Sequence, residues 1–273
     1  MTRIDGDDGL LADEVGDWAK EKHSYLTRYI SITRATRGKY IGPRKGGAGY
    51  FDLFCATGRS KVRNTGEWID GSAVAAWKES VDSGAPFTQM FISDIDQQSL
   101  DACTTRLKAL GAPVIPILGN AVDAVQEMQS KAGPYGLHLG FVDPYNLETL
   151  DFRVIEGLTR LRRIDLIIHL SAMDLRRNLG ANLGDDDSAF DLFAPGWRDS
   201  VDVAASHHNI RAQVVDYWRQ KVAGLGKWPS TDNRLIKGAQ GQHLYWLMLA
   251  AGHDLAHKFW SVAANPEGQL GLF

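Results

Sequence analysis

The sequence predicts an α/β fold in which a mainly parallel sheet carries helices on both faces. Three observations predict this class. Short apolar runs alternate with helical patterns of about 10–15 residues between residues 49 and 172, as in β-α-β units. An aspartate or an asparagine follows four of these runs. Hydrophobic residues make up 44% of the 273 residues, which is enough for a sizeable core.

The N-terminal residues 1–48 are predicted to be a helical and basic segment. Apolar and amphipathic side chains recur at helical spacing over Val15–Thr33, where Trp18, Leu26 and Ile30 share one face. The stretch Gly38–Gly49 is rich in glycine and is typical of a mobile loop.

Residues 49–172 are predicted to form a Rossmann-like cofactor-binding core. We predict its strands at Gly49–Phe54, Phe87–Ile92, Val114–Leu118, Leu137–Val142 and Asp165–Leu170. We predict its helices at Ser72–Val81, Gln97–Gly111, Ala121–Ser130 and Asp151–Arg162.

Residues 173–242 interrupt this alternation and are predicted to be a helical insertion, with one helix around Ile210–Val222. Residues 243–273 return to the core sheet. They contain a predicted strand, His243–Ala251, and a predicted helix, Leu255–Ala264, before a short tail.

Bulk composition excludes several classes of protein. The net charge is -3, and Cys55 and Cys103 form no CxxC pair, so neither a zinc ribbon nor a disulfide framework is expected. We predict no metal site. No apolar run is long enough to span a membrane, and the acidic N-terminus lacks the pattern of a signal peptide. A cytoplasmic location is therefore expected.

The loop after the first predicted strand has the composition of a cofactor loop. Its sequence is Asp52-Leu53-Phe54-Cys55-Ala56-Thr57-Gly58, which resembles the D-x-F-x-x-x-G form of methyltransferase motif I. Small residues let the backbone approach the amino-acid tail of a methyl donor. A full match would have glycine at Ala56, and alanine narrows the allowed dihedral angles. The predicted cofactor-binding residues here are Asp52, Phe54, Cys55, Ala56, Thr57 and Gly58.

Polar residues also end the second and third strands. Asp94, followed by Ile95, is placed to accept both hydroxyls of a ribose, whereas Asp96 is expected to cap the next helix. The interval from Gly58 to Asp94 fits a methyltransferase with a lengthened first loop better than a dinucleotide enzyme. Asn120, followed by Ala121, is expected at the adenine, or as a helix cap, or as both.

The fourth strand ends at Asp143-Pro144-Tyr145, which resembles the D-P-P-Y motif of methyltransferases that act on exocyclic amino groups of nucleobases. A carboxylate and a proline carbonyl can accept hydrogens from the target amine, and the aromatic ring can stack on the base. A base within a duplex must be flipped out to reach such a site. We therefore predict catalytic roles for Asp143, Pro144 and Tyr145, and Asp143 also lies at the cofactor.

Two further segments predict partners. The stretch Arg28–Arg63 carries nine Lys and Arg residues with Asp52 as its one acid, and it is expected either to meet nucleic-acid phosphates or to be a solvated face. The terminal residues Gln269–Phe273 resemble the peptide by which bacterial proteins dock on the replicative sliding clamp. The alternative for this tail is the last strand of the sheet.

With these residues in place, the chain resembles the three-Cys-motif partner protein family, which has a methyltransferase-like fold. The matching segments are Val15–Ala19 with Lys22 and His23, Tyr50–Phe54, Ile69–Ser72, Phe141–Tyr145 and Leu244–Leu247. The sequence departs from the family at Cys55-Ala56. The resemblance implies a partner protein that carries a cysteine motif, and it places Lys22 and Ser72 near the cleft.

The sequence therefore predicts a class I methyltransferase that uses S-adenosylmethionine and acts on an amino group, such as that of a nucleic acid base. A second hypothesis is a non-catalytic partner subunit that binds a nucleotide cofactor within a complex. A third is a nucleotide-binding protein whose ligand is not S-adenosylmethionine.

Overall fold

A computed structural model describes residues 2–184, 188–238 and 241–265. Its strands are Thr2–Asp5 (β1), Leu11–Val15 (β2), Ala48–Asp52 (β3), Arg59–Val62 (β4), Trp68–Asp70 (β5), Gln89–Asp94 (β6), Val114–Leu118 (β7), Leu137–Val142 (β8), Ile164–Ser171 (β9), Trp228–Pro229 (β10), Arg234–Lys237 (β11) and His243–Ala251 (β12). Its helices are Trp18–Ile32 (α1), Arg34–Gly38 (α2), Ser72–Asp82 (α3), Gln97–Ala109 (α4), Ala121–Lys131 (α5), Phe152–Thr159 (α6), Ala172–Arg177 (α7), Leu179–Gly184 (α8), Ala189–Phe193 (α9), His207–Gly224 (α10) and Asp254–Ala264 (α11).

The main sheet has the order β10-β12-β9-β8-β3-β6-β7, and β11 also pairs with β12. Strands β7, β6, β3, β8 and β9 are parallel, and β12 runs antiparallel to β9. Among the five parallel strands, the chain passes first through the central β3, moves outward through β6 to β7, and then crosses to β8 and β9. The strand order therefore reverses between β3 and β8, and ligands of open α/β sheets bind at such a point beyond the carboxyl ends of the strands.

Helices cover both faces of this sheet. Neighbouring residues of β3 point to opposite sides, so that Tyr50 packs in one hydrophobic cluster and Phe51 in the other. The cluster around Phe51 includes buried residues of α5, α6 and α10, and the cluster around Tyr50 includes residues of α1, α3, α4 and α11. Strands buried on both faces are nearly continuous in apolar residues, which explains the sequences of β8 and β9.

The predicted strands and helices of the core are confirmed. Three strands, Val114–Leu118, Leu137–Val142 and His243–Ala251, have the predicted bounds. The lengthened loop after Gly58 contains the strands β4 and β5, which pair antiparallel.

A second, four-stranded sheet of order β1-β2-β4-β5 was not predicted from the sequence. Its first two strands form an antiparallel hairpin ahead of α1, and β2 pairs in parallel with β4. The signal for this hairpin is the pair Asp8-Gly9 between two short runs, because an Asp-Gly pair is typical of a tight turn between strands.

Residues 173–242 contain the predicted long helix, as α10, together with two strands that the sequence analysis did not predict. Strands β10 and β11 both pair antiparallel with β12 and extend the main sheet. Both are too short to show a period of two. The helical part has an aromatic centre, where the rings of Phe193 and Trp218 stack with centroids 5.2 Å apart.

Within the described ranges, no helix has the length and apolar character needed to cross a membrane. The proposed clamp-docking residues Gln269–Phe273 lie outside the described residues.

Candidate functional site

A cavity of about 670 Å³ lies beyond the carboxyl ends of β3, β6, β7 and β8, where the strand order reverses. Eight of the residues predicted for the site line it: Phe54, Ala56, Asp94, Ile95, Asn120, Ala121, Asp143 and Tyr145. The other five are not among its lining residues: Asp52, Cys55, Thr57, Gly58 and Pro144. The structure thus brings together residues from four separate loops.

Asp52 supports the cofactor loop from beneath. Its carboxylate is fully buried and accepts hydrogen bonds from the Ser72 hydroxyl at 2.6 Å, the Tyr50 hydroxyl at 3.2 Å and the Phe54 backbone N–H at 3.2 Å. Burial raises the pKa of Asp52 to about 6, although these hydrogen bonds oppose the rise. Asp52 therefore organises the loop and does not reach the cavity.

The backbone of the loop takes left-handed conformations at two positions. Ala56 has φ of +48°, where an L side chain costs roughly 1–2 kcal/mol and where motif I has glycine. The Ala56 N–H donates to Oδ2 of Asp94 at 3.0 Å, and this bond holds the loop against β6. Gly58 has φ of +77°, and a Cβ there would lie 3.0 Å from Sγ of Cys103.

Cys55 and Thr57 point into the protein. Burial raises the pKa of the Cys55 thiol, and the neighbouring Cys103 raises it further, so this cysteine is not a reactive thiolate. The Thr57 hydroxyl donates to Oδ2 of Asp13 in β2 at 2.8 Å. The loop is therefore bound to the N-terminal hairpin as well as to the main sheet.

Arg106 of α4 fixes this hairpin to the loop. Its buried guanidinium donates to the backbone oxygens of Thr57 at 2.6 Å and Leu11 at 2.8 Å, and it pairs with the carboxylate of Asp8. Two hairpin residues, Arg3 and Asp13, consequently line the cavity. The sequence analysis missed both, because nothing near them resembles a cofactor motif.

Asp94 stands at the end of β6 and is held by backbone donors. Its Oδ1 accepts from the Asp96 N–H at 2.9 Å and its Oδ2 accepts from the Ala56 N–H. A carboxylate offers about four acceptor positions, so each oxygen retains one for a ligand. Burial raises the pKa of Asp94. Ile95 is 77% exposed and supplies an apolar wall beside this carboxylate.

Two predicted helix caps are present next to these residues. Asp96 caps α4, where its side chain accepts from the Ser99 N–H at 2.8 Å. Asn120 caps α5 by accepting from the Asp123 N–H at 3.0 Å, and its amide group donates to the Asp123 carboxylate at 2.7 Å. Asn120 therefore has the role of a cap while it also lines the cavity.

Asp143 belongs to a charged cluster that we define as Lys22, Asp143, His169 and Tyr245. The Lys22 ammonium of α1 donates to Oδ2 of Asp143, and Nδ1 of His169 lies 2.8 Å from Oδ1. The Tyr245 ring packs on His169 with centroids 4.0 Å apart. The side chains of Lys22, Asp143 and His169 are 13%, 15% and 11% exposed, so their charges interact with little solvent screening.

The cluster fixes the ionisation of its members. Burial alone would raise the pKa of Asp143, but Lys22 and His169 outweigh it and hold that pKa well below its usual range. Burial lowers the pKa of His169, and Asp143 opposes this shift. His169 is therefore neutral at pH 7, and its Nδ1–H donates to an ionised Asp143.

Sequence reasoning placed Lys22 near the cleft only through a family resemblance, and it missed His169 and Tyr245. One signal for His169 exists in the sequence. β9 is apolar except for Asp165, His169 and Ser171, which lie on the same face of the strand, and His169 is close to its carboxyl end.

The basic stretch Arg28–Arg63 is partly used within the fold. Arg37 is 3% exposed and donates to the backbone oxygens of Ala85 at 2.7 Å and Ile30 at 2.8 Å. Arg59 pairs with Asp7 and Asp70, and Arg63 pairs with Glu14. These three positive charges are thus already compensated or buried.

No family model matches the chain, and no curated protein matches it. Several solved structures do match the chain. An O-methyltransferase from Bacillus cereus, solved in complex with SAH, superposes with a TM-score of 0.50 at 10% identity, over 85% of this chain and 80% of that one. The O-methyltransferase TomG from Streptomyces achromogenes, solved with SAM, gives a TM-score of 0.46 at 13% identity, over 87% and 90%.

The superposition on the Bacillus cereus enzyme and the strand order confirm the predicted fold, a Rossmann-like sheet with helices on both faces. At such an identity the superposition establishes the fold alone. The resemblance to the three-Cys-motif partner family stays a prediction.

Proposed function

We propose that the chain binds S-adenosylmethionine in the sheet-end cavity and transfers its methyl group to an acceptor. One observation carries the proposal: the cavity is acidic and lies where the strand order reverses. Six aspartates and two arginines line it. Both arginines pair with lining aspartates, Arg3 with Asp96 and Arg153 with Asp151. The remaining negative charge suits a ligand that carries a sulfonium and an ammonium group.

The residues present fit the parts of this cofactor. Asp94 retains free acceptor positions for the ribose hydroxyls, and Ile95 offers an apolar surface to the adenine. Asn120 and Asp123 also line the cavity, and we assign them to the adenine amino group. The loop after β3 offers backbone groups to the amino-acid tail. The SAH in the Bacillus cereus O-methyltransferase supports the same ligand class for this chain.

For the acceptor, we propose an amino group of a nucleic acid base. Tyr145 is 68% exposed at the cavity and is suited to stack on a base. Asp143 is held ionised by the charged cluster, and two of its four acceptor positions remain. It can therefore accept a hydrogen from the amine. Pro144 does not line the cavity, so we propose this role for Asp143 alone. S-adenosylmethionine would supply the methyl group: the N–C bond forms as the S–C bond breaks, and the product ammonium gives its proton to water.

The test is calorimetric titration of S-adenosylmethionine and S-adenosylhomocysteine into the wild type, Asp94→Ala and Asp101→Ala. Asp101 is an exposed aspartate of α4 outside the cavity. We expect wild type and Asp101→Ala to bind alike. Asp94→Ala should bind about 100-fold more weakly, because two hydrogen bonds to a charged group are lost. Absence of binding by the folded wild type would overturn the proposal and favour a different nucleotide ligand.

A second candidate function is that of a non-catalytic, cofactor-binding partner subunit. The observation that favours it is the engagement of Asp143 by Lys22 and His169, which weakens this carboxylate as an acceptor. Cofactor binding without methyl transfer to single-stranded DNA, to RNA or to a cysteine-motif protein would support this candidate. Turnover on any of them would exclude it.

We also propose that Gln269–Phe273 docks on a sliding clamp. A variant that lacks these residues should lose binding to the clamp in surface plasmon resonance while it retains its binding of S-adenosylhomocysteine. No clamp binding by the full chain would reject the proposal.

A further inference from the structure

A second cavity, of about 320 Å³, lies at the same edge of the main sheet as the cofactor cavity. It is formed between α7, α10 and the start of β12. α7 follows β9 directly, and β12 begins beside the carboxyl end of β9, where Tyr245 is paired with Ser171. We call it the insertion pocket, because α7 and α10 belong to residues 173–242.

The lining of the insertion pocket is basic. Arg176, Arg211, His208 and His243 line it, and Asp216 is the one acid among its lining residues. Within the described ranges, neither arginine has a hydrogen bond or an ion pair with a carboxylate. Three arginines elsewhere in the described chain, Arg59, Arg63 and Arg106, pair with carboxylates. Two unpaired guanidinium groups at one concave site favour an anion, because they can bind phosphate oxygens in a bidentate way.

One wall of the pocket is aromatic. Trp246 is partly exposed there, beside the apolar side chains of Leu175 and Val215. A pocket lined by an indole and two guanidinium groups suits a nucleotide, because the base can stack on the indole and the phosphate can pair with the guanidinium groups. A purely apolar ligand would not require the arginines, and a free inorganic anion would not require the tryptophan.

The insertion pocket is connected to the site through short structural links. Asp174 of α7 accepts a hydrogen bond from the backbone N–H of Leu147 at 3.0 Å, which ties the helix of Arg176 to the loop after Asp143. On β12, Tyr245 contacts His169 of the charged cluster, and its neighbour Trp246 points to the opposite face of the sheet. An acceptor held in this pocket would therefore contact a helix that is hydrogen-bonded to the loop that contains Tyr145.

We propose that the insertion pocket binds a nucleotide of the methyl acceptor, with Arg176 and Arg211 on its phosphate and Trp246 against its base. This proposal rests on the proposed function and specifies its substrate class as a phosphate-bearing nucleic acid or nucleotide. The nucleotide in the insertion pocket is a neighbour of the one that is methylated.

The test is fluorescence anisotropy with a short labelled single-stranded oligonucleotide, for the wild type, Arg176→Gln, Arg211→Gln and the control Arg160→Gln. Arg160 is an exposed arginine at the C-terminal end of α6, outside the pocket. We expect each pocket variant to bind about 10-fold more weakly, because a charged hydrogen bond to phosphate is lost. The slope of log Kobs against log salt should fall by about 0.7 for each lost contact. The control should match the wild type.

Competition identifies the ligand chemistry. A nucleoside monophosphate should displace the labelled oligonucleotide at about a tenth of the concentration of inorganic phosphate, because its base stacks on Trp246 and inorganic phosphate has no base. Trp246→Leu should abolish this preference. Equal competition by inorganic phosphate or by an oligo-glutamate peptide of the same charge would overturn the proposal, as would unchanged binding by both arginine variants.

Failure here is distinguishable from failure of the proposed function. Arg176→Gln and Arg211→Gln should bind S-adenosylhomocysteine as the wild type does, since neither residue lines the cofactor cavity. If oligonucleotide binding depended on the two arginines but the protein bound no cofactor, the nucleotide site in the insertion pocket would be supported and the proposed methyltransferase function would be rejected.

Discussion

Two aspartates lie at the ends of the strands on either side of β3, and their carboxylates receive different kinds of hydrogen-bond donors. Asp94, after β6, is held by the backbone N–H groups of Ala56 and Asp96. Asp143, after β8, is held by the side chains of Lys22 and His169, which come from α1 and β9. We call these surroundings the β6 side and the β8 side of the site.

This difference means that the Asp94 carboxylate can bind a ligand, whereas the charge of Asp143 is compensated within the fold. On the β6 side, neutral backbone dipoles hold Asp94, burial raises its pKa, and its charge remains available to a ligand. On the β8 side, the ammonium of Lys22 outweighs burial, and the pKa of Asp143 is held low. An acid at a strand end therefore does not have one fixed role. The donors around it decide whether its charge is used within the fold or at the ligand.

The largest effect on stability should come from removing the positive charge of Lys22 on the β8 side. Lys22→Met leaves Asp143 without its cation, and removal of one partner from a largely buried pair should lower the free energy of unfolding by about 4 kcal/mol. Lys20→Met is the matched control on the same helix, because Lys20 pairs with Glu67 at the surface, and it should cost less than ~1 kcal/mol. Urea unfolding measures both.

The same variant has a second readout. Lys22 lowers the pKa of His169, so Lys22→Met should raise that pKa, as followed by NMR titration of the imidazole. Equal unfolding free energies for Lys22→Met and Lys20→Met, with an unchanged His169 titration, would show that the charged cluster does not stabilise the fold.

The next effect concerns pH and Asp52, which supports the β6 side. Burial raises its folded pKa to about 6, so the folded state binds a proton that the unfolded state releases above a pKa of ~3.9. Its contribution to stability is present below the unfolded pKa and is lost as the pH rises to about 6. Asp52→Asn removes this loss and keeps the contacts, because the hydroxyls of Tyr50 and Ser72 can accept from an amide.

We therefore expect the wild type and Asp52→Asn to unfold at similar urea concentrations at pH 4. At pH 7 the variant should be more stable, by about 3 kcal/mol for a shift of two pKa units. If the free energies of unfolding of the two proteins changed with pH in the same way, the pKa of Asp52 would not be raised in the folded state.

A smaller effect sharpens the role of His169 as a hydrogen-bond donor. His169→Leu leaves Oδ1 of Asp143 without its donor and should lower the free energy of unfolding by about 2 kcal/mol. His169→Gln keeps an N–H group and should restore about half of that loss. If the glutamine variant were no more stable than the leucine variant, packing against Tyr245 would explain the role of His169 instead.

The smallest effect is the relief of strain at Ala56. Ala56→Gly should raise the free energy of unfolding by about 0.5 kcal/mol, because the left-handed φ costs an alanine more than the added chain entropy costs a glycine. Ala75→Gly, within α3, should instead lower it by about 1 kcal/mol. A drop in the melting temperature of Ala56→Gly would show that this φ carries no strain.

The sequence predicted the parts of the site that local chemistry encodes. Asp94 and the loop after β3 follow from strands, a turn of small residues and the rule that parallel strands end at one edge. Asp96 and Asn120 follow from capping preferences over three residues of chain. In contrast, Asp52 was predicted in the cavity and lies beneath it, because the motif fixes which residue is present but not which way its carboxylate turns.

By itself, then, the sequence determined the core strands, the helices between them and the order of acids along one sheet edge, since hydrophobic periodicity and turn residues act over a few positions. The tertiary structure alone decided which acids received partners from distant parts of the chain. Lys22 reaches Asp143 across 121 positions, and Arg106 reaches Asp8 across 98. No local pattern records such pairs, because they form only when packing brings distant elements together and removes the water between them.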